Sequence, residues 1–114
     1  MTAPLVTIEE VKTTLPTQAA AEELAAALVE KRLAACVQIS GPISSIYRWD
    51  GRINKDQEFS LCCKTTESRL PQLVDYLIEH HPYKLPEILA ISLRASNEYA
   101  HWLRDQVDAT NTTM

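Results

Sequence analysis

Residues 33–65 read LAACVQISGPISSIYRWDGRINKDQEFSLCCKT, and this stretch decides the fold. Asp50-Gly51 lies between two runs rich in β-branched and aromatic residues, which is a strong signal for a hairpin turn. Gly41-Pro42 interrupts the first run. Because proline has no N–H to donate to a ladder, it predicts a bulge, a bend or a sheet edge there. The hairpin is unusually long for so small a domain. The strands predicted in it are Leu33–Ser40, Ile43–Trp49 and Gln57–Thr65.

The segments on either side of this hairpin supply the rest of the fold. Thr17 is a plausible N-cap for the helix that precedes the hairpin. Pro82 ends the helix that follows it, because proline disfavours helical geometry at the residue before it. The elements predicted outside the hairpin are strand Leu5–Thr14, helices Gln18–Arg32 and Ser68–His81, strand Glu87–Arg94 and, after an Asn97 N-cap, helix Glu98–Val107.

The order of these elements predicts an α+β fold. The sequence β-α-β-β-α-β with an extra C-terminal helix is the ferredoxin-like arrangement, a four-stranded antiparallel sheet with helices on one face. The other face of the sheet would then lie uncovered. Because exposed edges and apolar faces are liabilities unless something covers them, the long hairpin and the open face together predict a homo-oligomer.

Length, charge and cysteine usage limit the class of protein. A chain of 114 residues predicts one domain over 1–114, with an ordered core at about 5–108 and a polar tail at 109–114. The net charge of −4 argues against nucleic-acid binding, and no apolar run approaches the ~18 residues that span a bilayer. The N-terminus lacks the pattern of a signal peptide. Three cysteines without CxxC spacing predict free thiols, so we expect a cytoplasmic protein with no membrane or nucleic-acid partner.

His80 and His81 are the first candidate functional residues. Neutral imidazoles are common ligands for copper and zinc. Adjacent side chains on a helix diverge by about 100°, so the pair would share one metal only if the helix frays at Pro82. The alternative is that His81 packs as the last residue of the apolar helix stripe while His80 faces solvent near the helix C-terminus.

Polar and aromatic residues of the hairpin form a second candidate group. Alternation places Tyr47 and Trp49 on one face of their strand, and Glu58 and Lys64 on one face of theirs. Glu58 and Lys64 are six residues apart, roughly 20 Å along a strand, so each needs a partner elsewhere, such as across a subunit boundary. Lys64 at a strand end could hold an anion, or it could simply be solvated.

Motifs for covalent or phosphate chemistry are absent from the sequence. It contains no GxSxG, HExxH or P-loop pattern. An acylphosphatase would need an arginine-bearing phosphate loop after the first strand, where this chain has Thr13-Thr14-Leu15-Pro16. An RNA-recognition domain would need aromatics alternating along a central strand, and Gln57–Lys64 lacks them. We therefore expect no enzymatic activity.

Several short stretches, taken together and in order, resemble the CutA family of divalent-cation tolerance proteins. The similarity runs from about Val6 to Val107, and its specificity comes from the ordered set and not from any one piece. The matching pieces are Leu33–Cys36, Ser45–Trp49 followed by Gly51, Lys64–Thr66, His81–Tyr83 with Pro86-Glu87, and Tyr99 with Trp102-Leu103.

The resemblance implies a cytoplasmic homotrimer of ferredoxin-like subunits linked to tolerance of copper and other divalent cations. Some bacterial members are described as binding copper through a cysteine at the end of the first strand and a His-His pair. Those positions fall here on Thr13 and on His80 and His81. Threonine is a poor copper ligand because a soft thiolate selects Cu(I). The histidines could still bind Cu(II) or zinc, with water or a carboxylate such as Glu87 completing the shell.

The resemblance also implies a cleft between subunits of the trimer. The architecture is similar to PII signalling trimers, which bind small effectors between subunits, so a PII-like trimer that binds a small anionic ligand or a partner protein is the alternative function. The polar lining of the cleft would fall on Tyr47, Trp49, Glu58, Lys64, Tyr83 and Glu87.

Overall fold

The computed structural model of the protein describes residues 4–108, so the predicted tail at 109–114 lies outside the described residues. Four strands form one sheet in the order β2-β3-β1-β4, and all three neighbouring pairs are antiparallel. The predicted sequence of strands and helices is confirmed. The elements are β1 Leu5–Leu15, α1 Gln18–Glu30, β2 Cys36–Trp49, β3 Arg52–Thr65, α2 Leu70–His80, β4 Leu89–Ser96 and α3 Asn97–Val107.

The turn after α1 moves the start of β2. Thr17 caps the helix as predicted, since its hydroxyl accepts a hydrogen bond from the amide of Ala20 at 3.0 Å. At the other end Arg32 has a φ of 58°, and the amide of Leu33 donates back to the carbonyl of Leu28 at 2.9 Å. The amide of Ala34 also donates to Leu28, so the helix end takes up residues 33 and 34 and the prediction that a strand begins at Leu33 is wrong.

Helix α2 ends one residue earlier than predicted. His80 is its last residue, and His81 follows in an extended conformation with φ −75° and ψ 138°. Pro82 explains this geometry, because the residue before a proline is pushed out of the helical region. His81 is therefore not part of the apolar stripe of the helix. His80 has helical backbone geometry, whereas His81 has extended geometry.

The helices lie on both faces of the sheet. Side chains alternate along β1, so Val11 packs with α1 and α2 on one face while Ile8 packs with Ala100 and Leu103 of α3 on the other. The prediction of helices on one face alone is wrong. Helix α3 covers the end of the second face near Ile8, whereas Leu89 and Ile91 on the rest of that face remain about half-exposed.

The ends of β4 and α3 also shift from their predicted positions. Strand β4 begins at Leu89 and not at Glu87, and it extends through Ser96. Ser96, not Asn97, caps α3, because its hydroxyl accepts a hydrogen bond from the amide of Tyr99 at 3.2 Å. None of the helices among residues 4–108 is long and apolar enough to cross a membrane.

The hairpin of β2 and β3 is even longer than predicted, since β3 begins at Arg52 and not at Gln57. Asp50 and Gly51 form its turn with positive φ values of 54° and 74°. The register shifts between Ser40 and Ile43, which confirms a bulge at Gly41-Pro42. Gly41 has a φ of +150°, and a methyl group there would lie 2.7 Å from the Phe59 ring, so the bulge requires glycine.

The three cysteines are free thiols in different environments. Cys63 lies in the core under α1 and α2, and burial raises its pKa to about 12. Cys36 and Cys62 are partly buried. A thiol with so high a pKa stays protonated and packs as a small apolar side chain.

Candidate functional site at the end of helix α2

His81 is tied into the fold through both ring nitrogens. The backbone amide of Tyr83 donates to its Nδ1 at 3.1 Å, so Nδ1 is an acceptor and the proton of the neutral ring sits on Nε2. Nε2 in turn lies 3.0 Å from the hydroxyl of the fully buried Thr13 and donates to it. Burial lowers the pKa of His81 below its ordinary value, although a carbonyl of Thr14 and the charge of Glu58 act in the opposite direction.

His80 has the opposite arrangement. Its Nδ1 lies 3.1 Å from the carbonyl oxygen of Tyr76, and because a carbonyl only accepts, Nδ1 must donate. In the neutral ring the lone pair is therefore on Nε2, to which no described residue donates. The ring stacks on that of Tyr76 with centroids 4.0 Å apart and an angle of 22°, and it is about half-exposed. Glu79 lies 3.9 Å from Nδ1, on the side already used by the carbonyl.

The structure does not bring the two imidazoles into one ligand set. His80 faces Tyr76 on its own helix, while His81 faces Thr13 and Tyr83. Within residues 4–108, no cluster of three or more histidine, cysteine, aspartate or glutamate side chains is arranged to hold a metal ion. Glu87, which was expected to help complete a shell, is exposed in the loop before β4.

A groove of about 300 Å³ runs between α1 and α2 beside His80. Its floor is apolar, and its polar groups come from the two helices that form its walls. Leu15, Leu24 and Ala27 are among the residues of the floor, and the polar groups belong to Glu23, Tyr76 and His80.

Three of the predicted cleft residues, Tyr47, Glu58 and Tyr83, lie near one another along the outer half of the hairpin. The hydroxyl of Tyr83 donates to Glu58 at 2.8 Å, and that of Tyr47 donates to Asp56. Burial and the carboxylate of Glu58 together hold the pKa of Tyr83 far above its ordinary value, so it remains a phenol. The hydrogen bond to Asp56 raises the pKa of Tyr47 as well. This cluster presents carboxylates and neutral phenols.

Lys64 belongs to a different part of the sheet. Its ammonium pairs with Glu10 at 3.3 Å and donates to Gln38 at 2.7 Å, on the face that α3 partly covers. Both of these partners lie within the same chain, so Lys64 is not simply solvated. Trp49 is about half-exposed at the far end of the hairpin.

Sequence reasoning missed several residues that surround the candidate site residues. Tyr76 lies four residues before His80 on the same helix, and that spacing is a signal that aromatic rings can meet. Glu10 and Asp56 are found only through strand pairing, because each reaches its partner across or along the sheet. Glu23 comes from α1, and only the packing of α1 beside α2 reveals it.

Comparison with known proteins places the chain in a family. Residues 10–106 match the family model described as "CutA1 divalent ion tolerance protein". The "Divalent-cation tolerance protein CutA" of Thermus thermophilus is 46% identical over 98 residues, covering 85% of this chain and 95% of that one. Human "Protein CutA" is 38% identical over 102 residues, and the chain spans 57% of its length.

Solved structures give the same answer. The "Structure of CutA from Synechococcus elongatus PCC7942" superimposes with a TM-score of 0.85 at 40% identity, covering 90% of this chain and 95% of that one. Related proteins carry "chloroplastic" in Oryza sativa and "Periplasmic" in Archaeoglobus fulgidus in their names. The α+β fold, the family model and the relatives agree, and the chain belongs to the CutA1 divalent ion tolerance protein family.

Proposed function

We propose that the protein is a homotrimer of ferredoxin-like subunits that binds divalent cations, copper above all, and acts in cation tolerance without catalysing a reaction. Family membership and the names of the relatives support the cation. The strand order β2-β3-β1-β4 with antiparallel pairs supports the subunit architecture, as do the two helices α1 and α2 that connect β1 to β2 and β3 to β4. The three free thiols favour a reducing compartment, so we propose the cytoplasm.

The observation that carries the cation proposal is the imidazole group at the end of α2. No residue among 4–108 donates to Nε2 of His80, whose other nitrogen is fixed by a backbone carbonyl, and His81 follows it directly. Imidazole nitrogen suits Cu(II) and zinc. Thr13 beside His81 offers a hydroxyl and no thiolate, which favours Cu(II) or zinc over Cu(I).

Exposed apolar side chains support the trimer. Ile46 and Ile53 on the hairpin are 67% and 66% exposed, and Leu89 and Ile91 add a half-exposed patch on the open face of the sheet. Surfaces of this kind mark association sites in proteins that are otherwise polar outside. Sedimentation equilibrium should give three times the mass of the chain, and a monomer at micromolar concentration would contradict the assembly.

Calorimetric titration with Cu(II) tests the cation proposal. The wild-type protein should bind, and the double variant His80→Ala/His81→Ala should lose most of that binding. His101→Ala is the matched control, because the third histidine is exposed on α3 and lies 3.6 Å from Asp105. Equal binding by the wild type and the double variant would refute the assignment to these histidines.

The alternative is a PII-like trimer that holds a small anionic ligand or a partner protein in its inter-subunit cleft. Lys64 is the cation that such a site would use. Its ammonium already pairs with Glu10, and the hairpin cluster of Tyr83 and Glu58 is acidic, so the geometry favours a cation over an anion. Stabilisation of the wild type by an anionic metabolite in a thermal-shift screen, lost in Lys64→Ala, would reverse this preference.

A further inference from the structure

We propose that Cys36 and Cys62 together bind a soft, thiolate-seeking metal ion, with Cu(I) as the representative ion. The site lies on the sheet face that α3 partly covers, whereas Thr13 points to the face of α1 and α2. It therefore goes beyond the proposed function, because it uses sulfur ligands on the opposite side of the sheet. The soft ligand that Thr13 does not supply at the end of α2 is present at this second place in the fold.

Strand register places the two thiols on one face as diagonal neighbours. In the ladder of β2 and β3, Cys36 stands opposite Lys64, and Gln38 stands opposite Cys62. Residues two apart on a strand point to the same face, so all four side chains share that face. The hydrogen bond of 2.7 Å from Lys64 to Gln38 shows that side chains meet across one diagonal of this group. The two cysteines occupy the other diagonal.

Cys63 differs from these two cysteines in direction and burial. Its side chain points to the face of α1 and α2, where it is fully buried in the core beside Val37. Cys36 and Cys62 are only partly buried. The chain therefore presents two thiols on one face of the sheet and uses the third for packing.

The spacing of a diagonal pair suits a bridging metal ion. Diagonal neighbours on antiparallel strands have Cα atoms about 7–8 Å apart and Cβ atoms somewhat closer. A disulfide usually needs Cα atoms within about 6.8 Å, and both thiols are free here. Two metal–thiolate bonds of about 2.3 Å, the length found with zinc, span up to about 4.6 Å between the sulfur atoms. A metal ion can therefore bridge this pair without movement of the backbone.

Two lysines lie beside the thiols and compensate the charge of the complex. Metal binding releases both thiol protons, so one Cu(I) ion with two thiolates carries one net negative charge. Lys64 is the register partner of Cys36, and Lys12 is the register partner of Cys62 on β1. Lys64 already pairs with Glu10 at 3.3 Å. No carboxylate in the described part of the chain lies within salt-bridge distance of Lys12, so its ammonium is the charge that the complex attracts.

The apolar patch that supports the trimer lies at a distance from the two thiols. Leu89 and Ile91 belong to β4, at the opposite edge of the sheet from β2. Ile91 and Cys36 stand in one row across the four strands. Because neighbouring strands are about 4.8 Å apart, the two residues are separated by roughly 14 Å. Contact of another subunit with this patch is therefore compatible with a metal ion at the cysteines.

The donor set selects the reduced copper ion. Thiolates are the soft ligands that select Cu(I), and two of them satisfy this ion. Structural zinc almost always takes four protein ligands. Among residues 4–108, no further histidine, cysteine, aspartate or glutamate makes a metal-binding group of three with the pair. The reducing compartment proposed above keeps the thiols in the state that this site requires.

Competition against a coloured Cu(I) chelator tests the site on the reduced protein, under nitrogen and with ascorbate. The wild type should bind one Cu(I) per chain, and X-ray absorption should show two sulfur ligands. Cys36→Ser and Cys62→Ser should each weaken binding by about tenfold or more, since even residues that only orient a metal ligand contribute about ten- to a hundredfold. Cys63→Ala is the matched control and should stay within about threefold of the wild type. Circular dichroism checks that each variant is folded.

The outcomes separate this site from the proposed function. The variant His80→Ala/His81→Ala should keep the Cu(I) affinity of the wild type. If it loses that affinity, or if only one of the two serine substitutions weakens binding, the paired site is refuted. If the wild type binds Cu(II) but not Cu(I), this inference is refuted and the proposed function stands. If Cu(I) binds at the cysteines and Cu(II) does not bind, the histidine assignment is refuted and the cysteine site stands.

Discussion

His80 and His81 are neighbours in the chain, yet their imidazoles have opposite roles. His80 donates through Nδ1 to its own helix and accepts nothing at Nε2 from the described part of the chain, whereas His81 accepts at Nδ1 and donates through Nε2 to β1. The helix ends between them, so the backbone turns one ring towards a groove and the other towards the sheet. A His-His pair in a sequence therefore does not define one site, because the hydrogen-bond partners decide which nitrogen is available.

The largest expected difference between the two histidines is in stability. His81→Ala removes the acceptor of the Tyr83 amide and the partner of Thr13, so the free energy of unfolding should fall by about 1–3 kcal/mol. His80→Ala removes an exposed ring and should change it by less than about 0.5 kcal/mol. Urea unfolding at fixed protein concentration measures both changes. Equal losses of stability in the two variants would contradict the different structural roles of His80 and His81.

A substitution in β1 should convert His81 into a ligand. Thr13→Cys places a sulfur beside Nε2 of His81, and because soft thiolates select Cu(I), affinity for Cu(I) should rise about tenfold, equivalent to ~1.4 kcal/mol. Competition against a coloured Cu(I) chelator measures the change. Thr14→Cys is the control, since the next residue of the strand points to the other face. An equal gain in both variants would mean that His81 takes no part.

Tyr83 connects the His81 segment to the hairpin, and its loss should have a moderate effect. Tyr83→Phe removes the hydrogen bond to Glu58, which should lower the free energy of unfolding by about 1 kcal/mol. Tyr76→Phe keeps the ring that stacks on His80 and should be close to neutral. If Tyr76→Phe proved the more destabilising of the two, the His80 side would be the more tightly held region.

The smallest expected effect is a pH dependence that comes from His81. Burial lowers the pKa of His81 in the folded state below 6.5, so the unfolded chain binds the proton at a higher pH than the folded chain does. Stability should therefore fall as the pH drops below about 6.5 and through the folded-state pKa. His81→Gln should flatten this part of the profile in thermal unfolding between pH 7 and pH 5. An unchanged slope would show that other groups are responsible.

Local patterns predicted the elements of this fold well, because they depend on the residues within each segment. The Asp50-Gly51 turn, the Thr17 cap and the end of α2 before Pro82 all follow from short-range stereochemistry. The placement of α3 could not be predicted in this way. Its position on the second face depends on Ile8 and Leu103, which are far apart in the chain and meet only after folding.

The candidate site was harder to predict than the fold, for the same reason. The sequence shows that His80 and His81 exist, but the protonation pattern of each ring is set by Tyr76, Tyr83 and Thr13. Thr13 lies 68 positions from His81 and meets it only through the packing of α2 on the sheet. Lys64 likewise looked solvated because its partner Glu10 is on another strand.

The bulge at Gly41-Pro42 shifts the pairing register of the outer half of the hairpin by one residue. Two residues of β2 stand opposite Phe59 of β3, so every later residue of β2 changes its facing side relative to an unbroken ladder. Because of this offset, Tyr47 lies on the same face of the hairpin as Asp56, to which its hydroxyl donates. If the same residues paired one to one without the bulge, Ile46 would stand opposite Asn54 and take that side instead. The composition would be unchanged, but the outer half of the hairpin would present a different surface.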